Sequence, residues 1–344
     1  MFIVFKDFEL WWGMYLCGNP VRWIKKLMSS LTIGKLKLDG NLVLAPMSGV
    51  TNLPSRLLCR KYGASLVYSE MTSSEAVVRQ SSKSIERGFT CAYERPMGIQ
   101  LMGSIPENLA ASAIFLQEKY RPELIDVNLG CPAQGVIKNG CGSELLKKPE
   151  LTGRIIRMLS DSLDIPLTAK IRILDNFDET LKIAQIIEKS GADAITVHGR
   201  TQKQGYSGKS NLDFIRGIKS ELAIPVIANG DIFDENSSQN VLEYTRCDGL
   251  MIGRAAIGNP FIFKKISYFL KTGEILPPRS TEERLADFFD YIKLCRNYNM
   301  LTFNDLKRNA QWFTKGMENV KQVRMKINKT HDIDSIMTIM NGLI

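Results

Sequence analysis

From Leu42 to Ala256 one unit recurs: a short apolar run, a glycine-rich or polar turn, then a stretch with helical periodicity. The runs read "LVLAPM" (42–47), "LVYSE" (66–70), "MGIQLMG" (97–103), "LIDVNLG" (124–130), "LTAKIRI" (167–173), "AITVHGR" (194–200), "PVIANGD" (225–231) and "GLMIGRAA" (249–256). They are nearly continuous in hydrophobicity, as parallel strands buried on both faces must be. Helix candidates lie between them. In "TLKIAQIIEKSG" (180–191), Leu181, Ala184 and Ile187 share one face and Gly191 is a stop signal. Eight strands alternating with helices predict an α/β fold, a (β/α)8 TIM barrel, over an open doubly wound sheet. A Rossmann dinucleotide fold is not supported, because "GCGSEL" (140–145) lacks the last glycine of its fingerprint.

After about residue 258 the pattern changes. "PPRSTEERLADFFDYIKLCRNYN" opens with a turn signal, offers Ser280 or Thr281 as a helix cap, and continues as a long amphipathic helix. The expected organisation of the 344 residues is an N-terminal extension over 1–37, a barrel over 38–265 and a C-terminal α-helical domain over 281–344.

The net charge of +9 sits mainly in the flanks: residues 1–40 hold six Lys/Arg against three Asp/Glu, residues 261–344 hold fourteen against nine, and the middle is left at +1. Basic attachments on a near-neutral body suit a polyanionic partner, and they equally suit plain solubility. The hydrophobic and charged fractions, 44% and 24%, are those of a soluble globular protein. Seven cysteines, odd in number and without CxxC spacing, argue against zinc and against a secreted disulfide framework. No metal site is expected, and the reducing cytoplasm is the expected compartment. No run reaches the ~18 apolar residues of a membrane span. Residues 1–24 are apolar and aromatic but interrupted by Lys6, Asp7 and Glu9, which fits a signal peptide badly. They pack on the body, anchor weakly to a surface, or precede a second start at Met28, and residues 1–27 leave the three readings open.

In a (β/α)8 barrel the loops after the strands ring one mouth, and most polar residues of the eight runs fall at those ends. Run one ends in Pro46-Met47, run two in Glu70, and run three carries Gln100. Run four gives Asn128 and Cys131, run five Lys170 and Arg172, run six His198 and Arg200. Run seven ends in Asn229, Gly230 and Asp231, and run eight in Gly253 and Arg254. Glycines after runs seven and eight, with Arg254 and a following short helix, predict a phosphate site. Lys170 in an apolar strand is costly unless it faces something negative, such as the N1–C2=O edge of a flavin. Gln100 offers a donor and an acceptor to a uracil-like ring edge. His198, one of two histidines, is read as a donor to flavin or substrate. Cys131, in the loop over the mouth, serves as a general acid or as a nucleophile; the acid role suits a flavin, because hydride addition to a C=C leaves an anion to protonate.

The stretches "LAPMSGVTNLPSR", "YSEMTSS", "IQLMGS", "IDVNLGCP", "GSELL", "AKIR", "VHGRT", "IANGDI" and "MIGRAAIGNP", in this order over residues 38–265, closely resemble the tRNA-dihydrouridine synthases. That resemblance implies an FMN-bound barrel with a helical tRNA-binding domain, and reduction of D-loop uridines in tRNA to dihydrouridine with NADPH or NADH as reductant. It implies that Pro46, Met47 and Ser48 line the flavin, that Gln100, Lys170 and His198 bond to it, and that Asn229, Gly230, Asp231, Gly253 and Arg254 hold its phosphate end. Cys131 would protonate uracil C5, with Asn128, His198 and Arg172 positioning the base. Cys141 is read as packing rather than as a redox partner of Cys131. The basic tail residues Lys307, Arg308, Lys315, Lys321, Arg324, Lys326 and Lys329 would grip phosphates. A monomer is expected. The competing readings are an FMN barrel oxidoreductase acting on a free pyrimidine and a non-catalytic tRNA-binding factor.

Overall fold

The structure, a computed structural model, describes residues 30–343; the readings made on residues 1–29, including Cys17 and Met28, lie outside the described residues. Eight strands form one sheet: β1 (Leu42–Leu44), β2 (Val67–Tyr68), β3 (Met97–Met102), β4 (Leu124–Leu129), β5 (Leu167–Arg172), β6 (Ala194–His198), β7 (Val226–Asn229) and β8 (Gly249–Ile252). Each pairs in parallel with the next from β2 to β8, and β8 pairs with β1. A parallel bridge from Val43 to Leu66, with Leu44 N–H donating to Leu66 O at 2.9 Å, closes the ring. The architecture is therefore the expected TIM barrel with a C-terminal helical region.

The second strand is shorter than its apolar run, and a two-residue segment, Thr72–Ser73, rejoins β3 farther along. Local side-chain bonds explain the gap: Ser69 Oγ donates to Glu70 O at 2.9 Å, and the Glu70 carboxylate accepts the Gly49 N–H at 2.6 Å. The backbone at the end of β2 is thereby committed to the loop after β1.

Residues 31–38 close the opposite end of the barrel. Thr32–Ile33 and Leu36–Lys37 pair antiparallel, and Leu31, Ile33 and Leu38 pack against the inward-facing Val43, Leu66, Tyr68, Leu124, Ile227 and Met251. Water is excluded from the floor. The outer helices bury their apolar stripes against the strands, and Phe263, Ile266 and Leu270 of Ile262–Thr272 belong to that core, so barrel packing continues past residue 265.

Four helices follow: Thr281–Asn297, Phe303–Phe313, Val320–Lys329 and Ile333–Asn341. Ser280 starts the first of them with a reciprocal capping box, its hydroxyl accepting from Glu283 N–H while the Glu283 carboxylate accepts from Ser280 N–H. Leu285, Phe288, Tyr291, Leu306, Phe313, Ile327 and Met340 make a second core, which also takes in Leu58 from the barrel helix Leu53–Lys61. The seam is polar as well. The Tyr291 hydroxyl accepts from Asn52 Nδ2 at 2.9 Å and from Asn309 Nδ2 at 3.0 Å, and Lys61 pairs with Asp290 at 2.6 Å. Gly258, at φ +64°, lets the Trp312 backbone approach so closely that a Cβ would fall 2.5 Å from its carbonyl.

Candidate active site

A cavity of about 580 Å³ opens at the C-terminal ends of the strands, where this fold gathers its chemistry. Its walls include Pro46, Met47, Ser48, Gln100, Asn128, Cys131, Lys170, Arg172, His198, Asn229, Gly230, Asp231, Gly253 and Arg254, so the residues assigned to flavin or base border one space, while Glu70 and Arg200 stand outside its lining.

Register explains the convergence. Side chains alternate along a strand, so Asp126 and Asn128 on β4, and Thr168, Lys170 and Arg172 on β5, point into the barrel together. Gln100 lies beside Asp126, Asn128 beside Lys170, Arg172 beside His198, and His198 beside Asn229. Lys170 Nζ donates to Asn229 Oδ1 at 2.8 Å, and Asn229 Nδ2 donates to Met251 O at 2.7 Å. Burial, aided by repulsion from Arg172, lowers the Lys170 ammonium to about 8, while the Asp126 carboxylate opposes the shift. His198 is forced further. Burial and the cations Lys170, Arg172, Arg200 and Arg254 push its imidazole down to about 2, so the ring is neutral at physiological pH.

Strands β7 and β8 end in glycines beside the Arg254 guanidinium. Gly230 adopts φ +117°, and a Cβ there would fall 2.6 Å from Ser210 Oγ and 3.0 Å from the His198 ring, so no other residue type fits. Asp231 does not itself suit an anion. Its carboxylate is spent on Arg200 Nη2, at 2.6 and 2.8 Å, and on the Ser210 N–H at 2.7 Å, while Arg254 stands off at 3.6 Å. Asp231 therefore organises the cations, leaving Arg254 half-exposed at the cavity edge with its guanidinium 5.0 Å from the Tyr206 ring centre.

Arg172 is largely committed to the scaffold. Its Nε donates to Gly130 O at 2.9 Å and its Nη1 to Thr201 O and Gly205 O at 3.0 and 2.8 Å, pinning the loops after β4 and β6 over the mouth. Cys131 is partly exposed beside it, and Cys141 is buried with its thiol directed to Asn139 O at 3.4 Å; both thiols are free.

Three neighbours were missed in the sequence. Tyr206 projects from the loop after β6 and is 63% exposed between Arg172 and Arg254, and the lone aromatic of "TQKQGYSGKS" was its only signal. Met71 lines the cavity and touches Asn128 Nδ2 through sulfur at 3.4 Å. Asp126, fully buried, is a charge in an apolar run just as Lys170 is, so the same signal marked it.

The tail cations divide. Lys315, Lys321, Lys326 and Lys329 are exposed, whereas Lys307 donates to Asn328 O and Thr330 O, Arg324 to Gln311 O, and Arg308 pairs with Asp305. Among the described residues, no group of three or more His, Cys, Asp or Glu side chains could hold a metal ion, and no helix is long and apolar enough to cross a membrane.

Fold and site together define a β/α-barrel protein with a cationic, amide-lined mouth and a helical region packed at its side. The family model described as Dihydrouridine synthase (Dus) matches residues 43–339, so the chain belongs to the dihydrouridine synthase family of enzymes. It is similar to the probable tRNA-dihydrouridine synthase of Rickettsia conorii, 36% identical over 88% of this chain and 92% of that protein. It is also similar to tRNA-dihydrouridine synthase B of Pseudomonas putida, 36% identical over 89% and 91%, and of Klebsiella pneumoniae, 42% identical over 72% and 78%. Among solved structures it shares its fold with a 2-naphthoyl-CoA reductase complex (TM-score 0.53, 13% identity, 71% of this chain) and a histamine dehydrogenase from Rhizobium sp. 4-9 (TM-score 0.55, 12% identity, 79%). The match spans about half the length of those two chains, 52% and 51%.

Proposed function

We propose that the chain reduces D-loop uridines of tRNA to 5,6-dihydrouridine in the cytoplasm, with FMN held in the barrel mouth and NADPH or NADH as reductant. The observation that carries this reading is the convergence of Lys170, Gln100, Asn128, Cys131 and the Gly230/Gly253/Arg254 cradle on one cavity of about 580 Å³, the size range of cofactor pockets. The names of the relatives supply the substrate.

The residues fit a flavin mononucleotide. Arg254, the backbone at Gly230 and Gly253, and Asn229 would hold the phosphate and ribityl end, where a Cβ on Gly253 would meet nothing nearer than Ala45 Cβ at 3.6 Å. Pro46, Met47 and Ser48 would flank the ring, with Gln100, Lys170 and His198 at its polar edge. When bound, FMN supplies the hydride that uracil C6 receives.

The chain's own groups do the rest. Lys170 places positive charge where negative charge gathers. Neutral His198 donates a hydrogen bond without competing for a proton. Asn128 orients the base, and Arg172 keeps the two roofing loops in place around it. The Cys131 thiol delivers its proton to C5 as hydride reaches C6, and solvent reprotonates the thiolate. D-loop uridines are readily splayed from their neighbours, so extrusion into the mouth is cheap. The exposed lysines of the helical tail meet phosphates outside it.

The test is flavin reoxidation. Protein loaded with FMN and reduced by NADPH should be reoxidised anaerobically by unmodified tRNA and not by free uridine or orotate; turnover of a free pyrimidine without tRNA would favour the small-molecule reading.

A further inference from the structure

Beneath the cavity runs a chain of hydrogen bonds whose direction is set at both ends. The Asp126 carboxylate, wholly buried, accepts from Gln100 Nε2 at 2.7 Å and from Thr168 Oγ1 at 2.6 Å. Gln100 Oε1 accepts from Asn128 Nδ2 at 2.8 Å. Asn128 Oδ1 then accepts two backbone N–H groups, Cys131 at 2.9 Å and Gly130 at 3.2 Å. An ionised carboxylate can only accept and a backbone N–H can only donate, so neither amide between them can turn over without breaking a bond at each side. Burial raises the Asp126 carboxyl to about 6, with the Thr168 and Gln100 hydrogen bonds and Lys170 holding it down, so the group is still mainly an anion at neutral pH.

We propose that Asp126 is a positioning residue of this site: its carboxylate fixes the orientation of the Gln100 and Asn128 amides and, through them, the seat of the loop that carries Cys131. The inference rests on the proposed roles of Cys131 and the flavin site, and Asp126 itself touches no reactant. It makes the donor and acceptor pattern facing the cavity a consequence of one buried charge. Among the described residues this carboxylate has no direct ion-pair partner, so its hydrogen bonds go to the neutral donors Gln100 and Thr168.

Replacing the acceptor-only group tests the idea. In Asp126→Asn the new amide can donate as well as accept, Gln100 and Asn128 lose their enforced direction, and the Cys131 loop loses part of its hold. Alkylation of Cys131 by iodoacetamide, mapped by mass spectrometry on the folded protein, should accelerate about fivefold, the factor expected when one net hydrogen bond is lost. FMN affinity, by fluorescence titration, should weaken by a similar factor. In the double variant Asp126→Asn/Gln100→Glu the carboxylate moves one position along the chain and Asn128 again has only an acceptor to face. Cys131 protection should return toward wild type while FMN affinity should not. Thr168→Val removes a hydrogen bond that holds the Asp126 carboxyl down, and should accelerate Cys131 alkylation at neutral pH in the same direction as Asp126→Asn, by a smaller factor.

Unaltered Cys131 alkylation in a folded Asp126→Asn protein would overturn the proposal, and so would a double variant as reactive as the single one. If the single variant does not fold, the double variant and Thr168→Val carry the same decision. A wild-type chain that fails to bind FMN would count against the flavin reading, whereas the alkylation result stands apart from it.

Discussion

At the residue scale, His198 shows how far the barrel bends ordinary chemistry. His198 has its pKa driven far below the unfolded value by burial and by four cations. The unfolded chain therefore takes up a proton near pH 6.5 that the native state refuses, and stability present above that pH falls as pH drops. His198→Asn should lose less stability than wild type between pH 7 and pH 5, by up to about 2 kcal/mol for a fully refused proton, read from urea midpoints. The same logic removes His198 from any rate limb near pH 6.5. Gly253 offers a second test. Its added Cβ would make only ordinary contacts, 3.6 Å to Ala45 and 3.7 Å to Met47, both of which border the cavity. Gly253→Ala should leave the protein folded and weaken FMN binding, each factor of ten being a loss of about 1.4 kcal/mol, read by fluorescence titration. The polar residues of the mouth were legible because each interrupts an apolar run. What they bond to was not: Arg172 turned to three backbone carbonyls and Asp231 to Arg200, partners far away in sequence.

At the element scale, the eight strands were legible because a parallel strand buried on both faces needs an unbroken apolar run, and that is a local property. The hairpin of residues 31–38 was not, since strands of two residues carry no periodicity, and its apolar side chains gain meaning only from the barrel floor they cover. The tail helix starting at Thr281 was legible through its cap, and the structure chose Ser280 over Thr281. Ser280→Ala should cost about 1 kcal/mol of stability, the worth of a good cap, with FMN affinity unchanged. Tyr291→Phe should cost more, about 1–3 kcal/mol, because it takes the acceptor from one N–H of the Asn52 amide and from one N–H of the buried Asn309 amide, whose Nδ2 also donates to Asp305 O. Thermal melts of the two variants should rank in that order.

At the scale of the whole molecule, the proposed function assigns to the flanking positive charge the task of joining the mouth to a macromolecule. Composition showed the excess without showing which cations are free, because Lys307, Arg308 and Arg324 turned to local partners. Changing the exposed Lys315, Lys321, Lys326 and Lys329 together to Gln should reduce the slope of log affinity for tRNA against log salt by roughly 3, at about 0.7–0.9 per phosphate contact, with FMN affinity preserved. The central claim is that a Cys131-bearing flavin barrel hydrogenates uridine within tRNA. It is tested most directly by nucleoside mass spectrometry of unmodified tRNA incubated with the FMN-loaded chain and NADPH, beside its Cys131→Ala variant. The account predicts a uridine heavier by two hydrogens, mapped to the D-loop, with the intact chain and at most a trace with the variant. Equal product from both proteins, or no product from a chain whose bound flavin NADPH does reduce, would contradict it.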